Sequence, residues 1–185
     1  MDYLTFLPHE LKLEITRNLD QPALNALTRT SKSLIAPALE FLYIDITVNI
    51  HGLFPLLDRL LKNPDFAAKA RSLRLDIRSL DQLHKWSYFR NEQEWEEFGE
   101  SCRRFLMSRL PVRIRFEDWI RDLKNREIAA GVGLLLCIFP NLESLEMKNS
   151  IWRTRTLMKK LFPLRSSKLK KEDLLSNLGS VRHFR

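Results

Sequence analysis

The sequence predicts a mostly α fold with a minor parallel β component. Three features carry that reading. The first forty or so residues show helical apolar spacing and no strand pattern. Three later stretches, Tyr43–Val48, Ser72–Ile77 and Leu142–Met147, alternate apolar and polar residues as strands do. Between those stretches lie longer segments of helical character, and strands that alternate with helices pair in parallel.

Each element has its own warrant. Leu7-Pro8-His9-Glu10 opens a helix. Proline costs nothing in the first turn, where its missing N–H would be unpaired anyway, and Glu10 faces the positive end of the helix dipole. Leu7, Leu11, Ile15 and Leu19 follow at spacing four and form one apolar stripe. Asp20-Gln21-Pro22 ends that helix and starts a second, with Asp20 as its cap. Leu24, Leu27 and Leu34 line the second helix, Ser31 shares their face, and Pro37 is expected to interrupt it. Ala38, Leu39 and Leu42 then belong to a short third helix.

Beyond the first strand, Leu53 to Leu61 is an amphipathic helix ended by Asn63-Pro64. Residues 81–109 are aromatic and acidic and read as helical. Glu117 to Phe139 reads as one helix with a weak point at Gly131-Val132-Gly133, interpreted as close helix packing. Leu142-x-x-Leu145-x-Met147, and more weakly Ala70-x-x-Leu73-x-Leu75, fit the strand of a leucine-rich repeat. They lie 72 residues apart in the sequence, against the usual spacing of about 20–29. The region is therefore expected to be an irregular repeat, with a plain α/β layer as the alternative.

Composition sets limits. With 185 residues, 44% apolar and 29% charged, the chain can bury a core and stay in solution. Five glycines and eight prolines exclude a collagen-like or low-complexity chain. The longest uncharged apolar run, Ile128 to Phe139, has 12 residues, short of the about 18–20 that cross a membrane. The N-terminus does not read as a signal peptide, so the expectation is a protein of the cytoplasm, the nucleus or both, with no membrane partner. The net charge is +8, and all of it lies in residues 151–185, which carry 10 basic and 2 acidic side chains; residues 1–150 carry 21 of each. Such a tail is either a solvated segment or a site for an anionic partner such as nucleic acid, with residues 153–171 as the contact region.

Catalytic and cofactor chemistry has little support. His9, His51, His84 and His183 are scattered, and none stands at zinc-ligand spacing from a second ligand. No glycine-rich phosphate loop occurs. Cys137 lies inside an apolar run, while Cys102 precedes Arg103-Arg104, which would lower its pKa, but no histidine pairs with it. Glu92, Glu94, Glu96, Glu97 and Glu100 form an acidic helix face. It is either solvated or a complement to the basic tail. No catalytic, cofactor or metal site is expected, and the chain reads as a non-enzyme.

One ordered motif series is more specific. It runs L7-P8-x-E10-L11-x-x-x-I15-x-x-x-L19, then L24-x-x-L27, T30-S31-K32-x-L34 and L42-Y43-x-x-I46. Residues 4–46 thereby resemble an F-box, and residues 54–77 look like the segment that follows the box in fungal F-box proteins. The resemblance implies a three-helix F-box at 1–46, an irregular leucine-rich-repeat-like α/β region at 47–150, and a basic C-terminal segment at 151–185 with the look of an incomplete repeat, loosely ordered in the isolated chain. It implies a substrate-recruiting role: the box docks a Skp-type adaptor within a cullin ubiquitin ligase, and the repeat region holds a protein substrate. The adaptor-facing residues would be Leu7, Pro8, Leu11, Ile15, Leu19, Leu24 and Leu27. Lys12 and Thr16 stand where the family carries apolar residues, so two apolar anchors are expected to be missing from that interface.

Overall fold

The computed structural model describes residues 3–76, 88–89, 91–109, 116–125, 127–148 and 183–184. A 3-10 turn, Tyr3–Phe6, leads into three helices: α1 (His9–Arg17), α2 (Gln21–Thr30) and α3 (Lys32–Leu42). Pro8 takes the position before α1, and the Asp20 carboxylate caps α2 by accepting from the Ala23 N–H at 2.9 Å, which satisfies one orphan donor of the first turn.

The break between the second and third helices is not at Pro37. It falls at Ser31, whose backbone is extended (φ −139°, ψ 120°), and Pro37 lies inside α3. An interior proline forfeits one ladder hydrogen bond. Here Pro37 and its neighbour Ala38 are both buried, so packing offsets that loss.

Strand β1 (Asp45–Asn49) follows with the expected alternation, Ile46 and Val48 inward. Next come α4 (Leu53–Lys62) and α5 (Pro64–Lys69), the latter a short helix that the sequence reading did not foresee, started by Pro64. Then come β2 (Ser72–Asp76), α6 (Glu92–Arg109), α7 (Phe116–Lys124), α8 (Ile128–Ile138), β3 (Ser144–Lys148) and β4 (His183–Phe184). The single helix expected over 117–139 is thus two. The chain breaks at Asn125–Glu127, where the Asn125 N–H still reaches Arg121 O but the Glu127 N–H reaches back to Asp122 O. Trp119 Nε1 donates to Ala130 O at 3.0 Å and ties the two helices together.

All strand pairs are parallel, in the order β1-β2-β3-β4. The fold is mostly helical with a minor parallel sheet, as the sequence predicts. The register puts Ile46, Leu73, Leu145 and Phe184 in one row, and Val48, Leu75 and Met147 in the next. Entry to successive strands is the same: Ile44 O accepts from the Arg71 and Ser72 N–H groups, and Arg71 O accepts from those of Glu143 and Ser144. The same spacing of inward residues occurs one strand earlier, at Tyr43-x-x-Ile46-x-Val48, where Asp45 pairs Ser72 across an offset of 27 residues. His183–Phe184 is the last described strand. The order of the basic segment, residues 153–171, Ile77 of the second expected strand and residues 81–87 of the expected helical stretch lie outside the described residues.

One core cluster joins the inward faces of β1, β2 and β3 to Leu53, Leu57, Leu134 and Leu135 of α4 and α8. Gly131 sits where the two helices meet. A Cβ there would lie 3.0 Å from Leu53 Cδ2, so the close-packing interpretation of this glycine holds. Against α4, Phe54, Phe89, Trp95 and Phe98 form a ring cluster with centroids between 4.3 and 6.3 Å apart.

Two glycine substitutions separate packing from helix propensity. Gly131→Leu overpacks the α4–α8 contact, at a cost of about 1–3 kcal/mol or more that exceeds the propensity gain of about 1 kcal/mol. Gly99→Ala in α6 would place its Cβ 3.8 Å from Ile120 Cγ2, an ordinary contact, and should gain stability. Urea midpoints should fall for the first and rise for the second; equal shifts would show that α8 does not pack closely on α4.

Candidate docking surface

The N-terminal bundle has an unusual distribution of apolar surface. Among the nine residues of α1 only Thr16 is buried, at 0% exposure. Its hydroxyl donates to the carbonyls of Lys12 (2.9 Å) and Leu13 (3.0 Å), so a polar side chain sits inside without an unmet hydrogen bond. A small, self-satisfied residue at that point lets α1 approach α3, the helix it packs against. The consequence lies on the opposite side. Leu11 and Ile15, one turn apart, are 50% and 39% exposed. In the preceding turn Phe6 is 85% exposed, and Leu4 is exposed as well. Single exposed apolar residues are ordinary. Four large ones within twelve residues, two of them on one helix face, make a patch of the kind that marks an interaction surface.

The sequence-predicted set divides accordingly. Leu11 and Ile15 point outward, Pro8 is exposed, and Leu7 is half-buried beside them. Leu19 and Leu27 are partly buried and packed against the main core. Leu24 is 3% exposed and belongs to that core, so it supports the bundle from within and has no free surface to offer. Thr16 also corrects an expectation: it is an internal spacer, and its polarity removes nothing from an outward-facing surface. Phe6 and Leu4 were missed because they precede the helix, where helical spacing gives no signal.

The two cysteines and Asp58 are held within the fold. Cys102 is fully buried, and burial, with a further contribution from Asp58, pushes its thiol far above the ordinary range. Arg103 does not lower that pKa as the sequence implied; its guanidinium pairs with Glu100 and with Glu117. Burial raises the Cys137 thiol to about 11. Both sulfurs are therefore protonated at neutral pH and poor nucleophiles. Asp58, buried under the aromatic cluster, pairs with Lys62 at 2.9 Å and accepts from the Tyr88 hydroxyl at 3.3 Å. On the acidic face of α6, Glu92 pairs with Lys124 of α7. No group of three metal-ligating side chains occurs among the described residues, and no helix among them is long and apolar enough to cross a membrane.

No protein-family model, curated protein or solved structure matches the chain. The geometry of the patch is thus the main guide to what the bundle does.

The distinction between outward and inward leucines is measurable in the isolated protein. Leu24→Ala should cost about 2–5 kcal/mol, as a buried truncation does. Leu11→Ala should change stability by no more than about 0.5 kcal/mol. Comparable losses in urea titrations would place Leu11 in the core.

Proposed function

We propose that the chain is an F-box protein, a non-catalytic recruiter whose N-terminal bundle docks a Skp-type adaptor and through it a cullin ubiquitin ligase, while the repeat-like region engages a protein substrate. The observation that carries this reading is the outward stripe of Leu11 and Ile15 on a helix that buries only one of its own residues. A helix with that balance gains little from its own domain, since three short helices bury too little surface to be stable alone. An apolar groove on a partner supplies the missing burial, as in helix-in-groove recognition. The residues assigned to the contact are Phe6, Leu7, Pro8, Leu11 and Ile15, with Leu19 and Leu27 at its inner margin. The ordered motif series over residues 4–46 supplies the identity of the partner class.

The test is adaptor capture by well-folded variants. Leu11→Asp and Ile15→Asp should each abolish binding to a Skp-type adaptor in calorimetry, because a carboxylate driven into an apolar groove loses its hydration without gaining a partner. Thermal unfolding should change little, since both side chains are already exposed. Undiminished adaptor binding by both variants would remove the assignment. Binding of duplex DNA or RNA with a steep salt dependence, in place of adaptor, would transfer the function to residues 153–171.

A further inference from the structure

A second surface feature lies at the junction between the N-terminal bundle and the sheet, and it shares no residue with α1. Here the surface dips into an open cleft of about 410 Å³ between α2, β1 and α4, within the size range of ligand pockets. Its apolar floor is formed by Pro22, Leu42, Ile46 and Leu56.

Polar residues line the same cleft, among them Arg59, Tyr43, Asn25 and Gln21, and of these only the Arg59 guanidinium is charged and donor-only. Among the described residues, Arg59 has no ion-pair partner. Tyr43 is buried and stacked on Phe66 with centroids 4.5 Å apart, so its ring is fixed. Burial raises its pKa against the opposing field of Arg59, and it stays a neutral donor at physiological pH. The Gln21 Oε1 accepts from the Thr47 N–H of edge strand β1 at 3.1 Å, so that backbone donor is occupied.

We infer that this cleft binds a short acidic segment of a partner protein, with one aspartate or glutamate side chain on Arg59 and Tyr43 and a neighbouring apolar side chain on the Leu42–Ile46–Leu56 floor. Arg59 is the one cation lining the cleft and has no ion-pair partner among the described residues, so it selects an anion, and an ionised carboxylate is acceptor-only. The guanidinium suits it because its planar fork matches a carboxylate. The breadth of the opening favours a chain segment over an enclosed small molecule. The site does not depend on the F-box assignment, and its test contains no adaptor, so each can fail without the other.

The probe is an array of labelled, acetylated hexapeptides. Each pairs one Asp or Glu with Leu, Ile, Phe or Met at every spacing, and each is matched by its Asn or Gln counterpart. Binding to the full chain is read by fluorescence polarisation. A subset should bind, and amide replacement of the acid should weaken it about ten- to a hundredfold. Arg59→Gln should cause a loss of the same order, and Tyr43→Phe, which keeps the stacked ring, a loss of about two- to tenfold. Arg29→Gln, an exposed cation outside the cleft, should leave binding unchanged. The proposal is overturned if no peptide binds, if the amide peptides bind as well as the acids, or if Arg29→Gln weakens binding as much as Arg59→Gln.

Discussion

A parallel sheet is ordinarily covered on both faces. In this protein the inward rows of the sheet have to do all the sealing. Ile46, Leu73 and Leu145 lie side by side, followed by Val48, Leu75 and the partly buried Met147, and α4 and α8 share one core with them. The other face carries Thr47, Arg74 and Glu146 in register. Arg74 Nε meets Glu146 Oε2 at 2.6 Å, and Arg71 meets Glu143 at 3.2 Å at the strand entry. Such exposed pairs contribute about 0–1 kcal/mol each. They fix the strand neighbours without supplying the driving force. The apolar rows supply that, and this is why every strand must keep its register: a slip of one residue would turn each row toward water.

This constraint explains the division of labour along the chain. α2 and α3 are recruited into the sheet's core through Leu24, Ala38 and Leu42, and Gln21 bonds directly to β1. They form a rigid extension of the sheet. α1 is not part of that cluster. It rests on α3 through Thr16 and presents Leu11 and Ile15 to solvent. The bundle is thus joined to the sheet at one end and exposes apolar side chains of α1 at the other.

Much of this was legible in the sequence, for identifiable reasons. The strands showed themselves because half-buried strands alternate, and β-branched residues mark them. Helix α4 was plain from its five leucines and its Asn63-Pro64 stop. Other features were hidden, among them three whose causes are plain. Pro37 looked like a terminator, because sequence shows the hydrogen bond it removes and not the burial that offsets it. The break at Asn125–Glu127 contains neither glycine nor proline, and its polar residues fit an exposed helix face equally well. The likeness of β1 to the later strands is masked by Tyr43, whose ring fills a position where a leucine pattern is sought. The stripe on α1 was visible, but periodicity identifies an apolar face without saying whether it turns inward. Leu24 and Leu11 look alike in sequence, and only packing tells the internal leucine from the external one.

Hydrogen exchange on the full chain, with and without a Skp-type adaptor, tests the central claim most directly. If α1 is held to the fold mainly through Thr16 and the half-buried Leu13, and completed by a partner, its amides should exchange much faster than those of β1 and β2 in the free protein. They should slow markedly on adding adaptor, while the strands stay unchanged. Protection of α1 equal to that of β2 in the free protein, and unaltered by adaptor, would contradict the account.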